Sequence, residues 1–303
     1  GTLLYFKHEL FEQIKFKNMF YLKSYQIFAI IINKKEIIMA NAIKFIDLFA
    51  GIGGIRQGFE LACKENGLQA QCVFTSEIKP AAIKVLKQNY PNEIIFGDIT
   101  QVDTDSIPKF DILLAGFPCQ AFSVAGKRLG FEDTRGTLFF EVARILAAHK
   151  PFGFILENVE GLVTHDKANK SDKIGRTLQT ILDTLLDLGY KVSWKVLNAK
   201  NFGVAQDRKR IYIVGTLSIK PNLDGFDTNH VALASILEHG LPLSNSKFVN
   251  LLLSHYPINQ LFGKSIKDKR GGLDNIHSWD FDYKGIISDD EKSLLNAILT
   301  ERR

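Results

Sequence analysis

Short apolar runs alternate with segments of helical periodicity from residue 43 onward. Seven of these runs have the length of a buried strand and are bounded by glycine, proline or charged residues. They predict strands at Ile43–Phe49, Ala70–Ser76, Ile94–Phe96, Phe110–Ala115, Phe152–Leu156, Tyr190–Leu197 and Ile211–Gly215. Apolar residues at helical spacing predict helices at Phe59–Cys63, Pro80–Asn89, Leu138–His149 and Ile174–Leu188. This alternation predicts an α/β fold with a doubly wound, mostly parallel sheet.

Charged, polar and glycine residues follow the ends of most predicted strands. In doubly wound sheets, ligands bind in the crevice beyond the carboxyl ends of the strands. The residues at those ends are Asp47–Gly54, Glu77, Asp98, Pro118–Cys119 and Glu157–Asn158. We therefore expect one functional site along this edge of the sheet.

The composition is that of an ordinary globular protein. Of 303 residues, 46% are hydrophobic and 23% are charged, which excludes a disordered or fibrous chain. The three cysteines, Cys63, Cys72 and Cys119, are too few for a disulfide framework and indicate a reducing compartment. The net charge is +5, but residues 1–39 carry +3 of it, with six lysines and three glutamates. Any contact with a polyanion must therefore come from a local basic patch.

The first 38 residues differ from the rest of the chain. They are rich in aromatic residues, isoleucine and lysine, and Met39 stands shortly before the first predicted strand. We interpret residues 1–38 as an N-terminal extension outside the core, ahead of a start at Met39. The longest apolar run in this segment, Tyr25–Ile32, is too short to span a bilayer, so we expect no membrane partner.

A glycine-rich turn and three carboxylates indicate a nucleoside cofactor. The turn Gly51–Gly54 lets a ligand approach bare backbone, but Arg56 stands where the dinucleotide-binding fingerprint needs its third glycine. Asp47 would repel a pyrophosphate and attract an ammonium group. Glu77 follows the second strand, where acidic residues often bind ribose hydroxyls, and Asp98 follows the third, where it is placed to accept from an adenine amino group. Together they suit a cationic nucleoside such as S-adenosylmethionine; the alternative is that each is an ordinary loop or capping residue.

Cys119 is the candidate nucleophile. It follows Pro118 on a loop beyond the fourth strand, whereas a structural cysteine usually lies buried within a strand or helix. Glu157 comes after the next strand, and the basic segment Gln206–Arg210 precedes the last one. A thiol, a carboxyl group and guanidinium groups at one edge predict a nucleophile, an acid and an anion clamp.

The order of these motifs resembles that of the bacterial DNA (cytosine-5)-methyltransferase family of restriction–modification systems. The matching stretches are Phe45–Gly54, Gly97–Ile99, Gly116–Ser123, Gly130–Phe140, Glu157–Val159 and Gln206–Tyr212. Six such stretches in family order, covering the chain from Ile43 to Gly215, are very hard to obtain by chance. The resemblance implies a Rossmann-like, S-adenosylmethionine-dependent methyltransferase fold, followed by the start of a second, target-recognition region.

The resemblance also implies an activity and catalytic roles. A methyl group would pass from S-adenosyl-L-methionine to C5 of a cytosine that is flipped out of a specific duplex sequence. Cys119 would be the thiolate that adds to C6 of the base. Glu157 would contact N3 and the amino group, Arg210 would donate to O2, and Arg208 would support the loop or a phosphate.

The binding residues follow from the same resemblance. Those expected at the cofactor are Asp47, Phe49, Gly51, Gly53, Glu77, Ile78, Asp98, Ile99, Pro118 and Leu138. Those expected at DNA are Gln120, Ser123, Lys127, Arg128, Arg135, Gln206, Lys269 and Arg270. The first five of these lie on a loop that is expected to close over the flipped base. No metal site is expected.

The C-terminal part departs from the family pattern. We expect the catalytic and cofactor-binding domain at residues 39–217, followed at 218–303 by a linker and an incomplete target-recognition region. Two family blocks that follow this region, the last with a Gly-Asn-Ser-like motif, are missing from the sequence. We therefore expect a C-terminally truncated enzyme.

Three alternatives stay open at this point. The first is that the chain is an inactive DNA-binding remnant of such an enzyme. The second is that it methylates cytosine in RNA, as a few relatives do. A nicotinamide-dependent dehydrogenase is the third alternative, which only the glycine turn supports. The expected partners are double-stranded DNA and, from the resemblance alone, a cognate restriction endonuclease; the expected location is the bacterial cytoplasm.

Overall fold

The structure of the chain is a computed structural model. It describes residues 42–118, 138–169, 171–236, 245–261, 263–266, 268 and 275–301. The chain divides into two compact units, the first ending at Ile236 and the second beginning at Leu237. Within the described ranges, no helix has the length and apolar character needed to cross a membrane.

The first unit contains a seven-stranded sheet with helices packed on it. The strands are β1 (Ile43–Leu48), β2 (Ala70–Ser76), β3 (Ile95–Phe96), β4 (Ile112–Ala115), β5 (Gly153–Val159), β6 (Lys191–Asn198) and β7 (Lys209–Thr216). The α-helices are α1 (Gly54–Glu65), α2 (Pro80–Asn89), α3 (Leu138–His149) and α4 (Arg176–Asp187). Every predicted strand and helix is present, and the strand ends differ from the prediction by at most three residues. The predicted α/β fold is confirmed.

Among the described strands of this sheet, β7 runs opposite to its neighbours. The strand order is β3-β2-β1-β4-β5-β7-β6. Neighbours from β3 to β5 pair in parallel, whereas β7 pairs antiparallel with both β5 and β6. Because of this reversal, β7 begins at the edge where β1, β2, β4 and β5 end. The basic segment Gln206–Arg210 is thereby brought to the carboxyl edge of the parallel strands.

Both faces of the sheet are covered by helices. In β1, Ile46 and Leu48 join a hydrophobic core with residues of α3 and α4, whereas Ile43 and Phe45 join a second core with residues of α1. The rings of Phe45 and Phe59 meet edge to face, with their centres 5.0 Å apart. Burial on both faces explains why the strands read as continuous apolar runs and not as alternating patterns.

The chain after β7 packs back against the sheet. Ser193 of β6 donates a hydrogen bond from its Oγ to the carbonyl oxygen of Pro221 at 2.6 Å. Leu223 is buried in the second core. Residues 218–236, which the sequence assigned to a linker, therefore belong to the first compact unit.

The second unit, as far as it is described, consists of short elements around a small core. It contains α5 (Lys247–His255), α6 (Ile258–Leu261), β8 (Ser265–Ile266), β9 (Asn275–Ile276) and α7 (Asp289–Glu301). Its buried apolar residues are Leu252, Ile276 and Phe281. These elements lie in the part of the chain where the sequence predicts a target-recognition region.

Candidate active site

The turn between β1 and α1 presents backbone at the carboxyl edge of the sheet. Gly53 precedes α1 as its N-cap and has a φ of +87°, a left-handed conformation that side chains rarely adopt. Phe49 and Gly51 also have positive φ, at 54° and 56°. A Cβ atom built at Gly51 meets no described atom within 4 Å, so the turn borders open space. The predicted turn is formed, and on the side of Gly51 it has no described atom within contact distance.

The carboxylate of Glu77 joins the end of β2 to this turn. Its Oε2 accepts from the backbone N–H of Gly51 at 2.7 Å, and its Oε1 accepts from the N–H groups of Ile78 and Lys79, each at 2.8 Å. Glu77 is 7% exposed, whereas the side chain that follows it, Ile78, is 62% exposed. Glu77 thus fixes two loops at once and lies next to an open apolar surface.

Asp47 lies in β1 just before the turn and is almost completely buried. It is 1% exposed, and its Oδ2 atom has no hydrogen-bond partner among the described residues. Burial raises the pKa of Asp47 to about 8, and the charge of Arg56 opposes that rise. The cause is desolvation, because an unpaired carboxylate loses favourable hydration when it leaves water.

Asp98 and Ile99 continue the edge after β3. Asp98 caps a short 3-10 turn, where its carboxylate accepts from the N–H of Thr100 at 3.0 Å. The side chain of Ile99 is 2% exposed and belongs to the core, and its carbonyl oxygen accepts from Arg144 of α3 at 3.1 Å. Leu138 begins α3 and is half-buried. The side chain of Ile99, which the sequence places at the cofactor, is therefore part of the core.

The loop after β4 packs closely against β5. A Cβ atom at Gly116 would lie 3.5 Å from Oε2 of Glu157, an ordinary contact distance that places the carboxylate next to the loop. The buried side chain of Asn158 donates from Nδ2 to the carbonyl oxygen of Phe117 at 2.9 Å. The chain that leads to Cys119 is thus fixed beside Glu157.

Glu157 and Arg210 form an ion pair at this edge. Nε of Arg210 lies 2.8 Å from Oε1 of Glu157, and the side chains are 22% and 23% exposed. The antiparallel register places Arg210 opposite Val159, two residues beyond Glu157. Burial raises the pKa of Glu157, although Arg210 and Arg208 act to lower it. The structure thus brings together the acid and the guanidinium group that the sequence placed at one edge.

A cleft of about 470 Å³ opens between the end of β5 and the start of β7. It is lined by Val159, Glu160, Gly161, Gln206, Asp207, Arg208, Lys209 and Arg210. Lys209 lies 3.3 Å from Glu160, and Lys200 lies 2.8 Å from Asp207, so acidic side chains offset part of the positive charge. The cleft has the size and polarity to take a small polar group next to the ion pair.

Asn198, at the end of β6, holds the basic segment in place. Its Oδ1 accepts from the backbone N–H of Arg208 at 3.0 Å, and its Nδ2 donates to Asp207 at 2.8 Å. Sequence reasoning missed Asn198, although a polar residue at a strand end was the available signal. Sequence reasoning also treated Arg56 only as a mismatch to the dinucleotide-binding fingerprint. The signal for its role was a basic residue on an otherwise apolar helix face.

Several predicted site residues lie outside the described residues. These are Cys119, Gln120, Ser123, Lys127, Arg128, Arg135, Lys269 and Arg270. Pro118, which is exposed, is the last described residue before the first of them. In the described part of the chain, no group of histidine, cysteine and acidic residues is arranged to hold a metal ion.

Comparisons with known proteins point to one family. A family model described as C-5 cytosine-specific DNA methylase matches residues 43–277. The chain is 65% identical over 261 residues to the type II methyltransferase M.NlaIV of Neisseria lactamica, and 64% identical over 261 residues to M.NgoBV of Neisseria gonorrhoeae. Each match covers 86% of this chain and 62% of the relative, so the chain spans about three-fifths of the length of these relatives.

A solved structure gives the same picture at the level of the fold. The chain is similar to the methyltransferase EhMeth of Entamoeba histolytica with a TM-score of 0.54 and 18% sequence identity. The match covers 82% of this chain and 74% of that one. At this identity the likeness concerns the fold alone, and it agrees with a Rossmann-like methyltransferase sheet.

Proposed function

The chain belongs to the C-5 cytosine-specific DNA methylase family, and we propose on that premise that it methylates C5 of cytosine in duplex DNA, with S-adenosyl-L-methionine as methyl donor. The observation that carries the proposal is the ion pair between Glu157 and Arg210, 2.8 Å apart, beside the loop that leads to Cys119. The acid Glu157 and the hydrogen-bond donor Arg210 thus lie near the position that the sequence predicts for the thiol of Cys119.

The residues around the glycine turn fit the cofactor. S-adenosyl-L-methionine, when bound, supplies an electrophilic sulfonium methyl group. Asp47, whose Oδ2 has no hydrogen-bond partner among the described residues, suits its ammonium group, because that positive charge favours the ionised carboxylate; Glu77, whose Oε2 accepts from Gly51, suits the ribose hydroxyls. Ile78 offers an exposed apolar surface to the adenine ring, and Asp98 offers an acceptor to its amino group.

Cys119 begins the reaction in this proposal, because C5 of cytosine is a poor nucleophile. The Cys119 thiolate adds to C6, and the electrons of the C5–C6 double bond make C5 nucleophilic. Glu157 donates a proton to N3 as the ring accepts the thiolate, and burial favours its protonated form. Arg210 donates to O2 of the base. C5 would then take the methyl group as its bond to sulfur breaks and S-adenosyl-L-homocysteine leaves. A base would remove the C5 proton, the C5–C6 double bond would form again with loss of the Cys119 thiolate, and N3 would return its proton to Glu157.

The substrate base must leave the duplex before Cys119 reaches it. A stacked cytosine hides C6, and extrusion costs on the order of a few kcal/mol. We assign the cleft between β5 and β7 to the flipped nucleotide and its neighbours, with Gln206 and Arg208 contacting base or phosphate oxygens. The family resemblance assigns DNA contacts to Gln120, Ser123, Lys127, Arg128 and Arg135, which lie outside the described residues.

The names of the relatives support a proposal for the biological setting. M.NlaIV and M.NgoBV carry the name type II methyltransferase. We propose the same setting for this chain, in which it modifies a specific duplex sequence and so protects it from a cognate restriction endonuclease in the bacterial cytoplasm.

Covalent trapping tests the proposed chemistry. Duplex DNA in which 5-fluorocytosine replaces cytosine cannot lose its C5 substituent as a proton, so the adduct with Cys119 should survive denaturing electrophoresis when S-adenosyl-L-methionine is present. Cys119→Ser should give no adduct, and Glu157→Gln should slow trapping by about a hundredfold or more. Trapping by Cys119→Ser, or none by the wild type, contradicts the proposal. Cofactor-independent DNA retention without trapping supports an inactive DNA-binding remnant.

A further inference from the structure

Arg56 places a guanidinium group inside the protein, directly behind the glycine turn. The residue is 3% exposed. Its Nη1 and Nη2 atoms each lie 2.5 Å from an oxygen of Glu93, and its Nε lies 2.7 Å from Oε1 of Glu60. Its Cζ lies 3.4 Å from the ring centre of Tyr90. Buried ion pairs contribute little net stability after desolvation, so stability alone is a weak reason for this arrangement.

The partners of Arg56 come from two parts of the chain. Glu60 lies one turn further along α1, whereas Tyr90 and Glu93 follow the end of α2. The two-pronged pair with Glu93 is directional and charge-assisted, and the ring of Tyr90 restricts the plane of the guanidinium group. Arg56 therefore ties the first turn of α1 to the segment after α2.

The same segment supports the glycine turn itself. A Cβ atom at Gly53 would lie 3.4 Å from Cδ2 of Leu86 and 3.5 Å from Cε2 of Tyr90, so the ring that stacks on Arg56 also lies next to Gly53. The other end of the turn is held at Gly51 by Glu77. The backbone that borders the cofactor site is thus fixed at one end by Glu77 and at the other by the cluster around Arg56.

We propose that Arg56 is a positioning residue for the cofactor site: by holding Tyr90 and Glu93, it keeps the backbone at Gly51–Gly53 in the conformation that receives S-adenosyl-L-methionine. The inference rests on the proposed function. In the described residues, α1 has no side-chain cap at its start. Without Arg56 the turn would therefore sample other conformations, and ordering it would weaken binding.

The charge of Arg56 also matters for the acidic groups around the turn. Arg56 lowers the pKa of Asp47, against the larger effect of burial, whereas Glu60, Glu77 and Glu93 raise it. Arg56 thus supplies positive charge among carboxylates that lie close together. An apolar residue of the same size would fill the space and leave those carboxylates uncompensated.

Arg56→Lys tests the proposal, because lysine keeps the charge but lacks the planar fork that pairs with Glu93 and stacks on Tyr90. Calorimetric titration with S-adenosyl-L-methionine should give a Kd at least about tenfold above that of the wild type. Amide hydrogen exchange of the cofactor-free protein should become faster at Gly51–Gly54 and stay unchanged in β4. If Arg56→Lys does not fold, Glu93→Gln should show both effects.

Leu185→Ala is the matched control. It opens a cavity in the core beneath α4 and lowers stability without touching the cluster around Arg56, so its Kd should stay that of the wild type. A folded Arg56→Lys or Glu93→Gln protein with a wild-type Kd overturns the inference. Failure of the wild type to bind S-adenosyl-L-methionine contradicts the proposed function instead, and the exchange rates at Gly51–Gly54 then decide whether Arg56 holds the turn.

Discussion

At the scale of single residues, the carboxyl edge depends on buried polar groups that have few partners. Asp47 leaves one oxygen without a partner in the described residues, and the side-chain amide of Asn158 donates to one backbone carbonyl, that of Phe117. A buried polar group that loses its partner costs about 1–3 kcal/mol. That is a large share of the roughly 5–15 kcal/mol that keeps a typical protein folded. Substitutions here should therefore change stability measurably.

Asp47→Asn should make stability less dependent on pH. The pKa of Asp47 is about 8 in the folded protein, and roughly 4 in an unfolded chain. Between these values the folded state holds a proton that the unfolded state releases, so wild-type stability falls as pH rises, by up to about 1.4 kcal/mol per pH unit. Urea unfolding at about pH 5 and about pH 8 checks this. Parallel pH profiles for the variant and the wild type would refute it.

Asn158→Asp should lower the free energy of unfolding by about 1–3 kcal/mol, because a carboxylate cannot donate to the carbonyl of Phe117. It should also slow trapping of 5-fluorocytosine DNA, because the chain before Cys119 loses its tie to β5. The control Asn169→Asp changes an exposed residue and should stay within about 0.5 kcal/mol of the wild type. Equal effects of the two variants on stability and trapping would contradict the prediction.

The predictability of these residues depends on where their partners lie in the sequence. Glu157 and Arg210 could be predicted because each lies at the end of a strand, and topology brings such ends together. For Arg56, the apolar helix face indicated burial, but its main partner could not be predicted, since Glu93 is 37 residues away in an irregular segment. A pattern of apolar positions does not indicate which pairs of polar side chains form hydrogen bonds or ion pairs.

At the scale of elements, strand direction matters more for the site than strand position. The apolar runs located all seven strands, but a run of apolar residues has no direction. The reversal of β7 therefore could not be predicted from its composition, although that reversal carries Arg210 to Glu157. The direction of β7 is seen only in its antiparallel pairing with β5 and β6.

Gly215→Ala should weaken the pairing of β7 with β5. A Cβ atom at Gly215 would lie 2.3 Å from Cζ of the fully buried ring of Phe154, so the ring or the strand must shift. Overpacking of this kind costs about 1–3 kcal/mol. At Gly161 a Cβ atom meets no described atom within 4 Å, so Gly161→Ala should change stability by less than about 0.5 kcal/mol. Thermal unfolding of both variants gives the comparison, and equal stabilities would refute the steric argument.

At the scale of the whole molecule, the sheet unit continues past the last strand. The sequence placed the catalytic domain at residues 39–217 and a linker after it. Leu223 is nevertheless buried against the sheet, and the first compact unit ends at Ile236. A single buried leucine in an irregular segment is a weak pattern, which is why sequence reasoning could not find this extension.

A fragment of residues 39–236 should fold on its own and bind S-adenosyl-L-methionine with a Kd within about threefold of that of the full chain. A fragment of residues 39–217 should be less stable, because it exposes the apolar surface that Leu223 covers. Circular dichroism and calorimetric titration of both fragments check these expectations. An unfolded 39–236 fragment beside a folded full chain would contradict the independence of the first unit.

The backward course of β7 has a consequence for engineering. In a two-stranded ladder, adjacent residues point to opposite faces, so a slip of one position would turn the arginine away from its glutamate. An insertion between Asn198 and Asp207 separates two residues that are hydrogen-bonded to each other, and a one-residue deletion inside β7 shifts every later pair. A redesign of this hairpin must therefore keep the length of the loop between β6 and β7 as well as the alignment of both strands with β5.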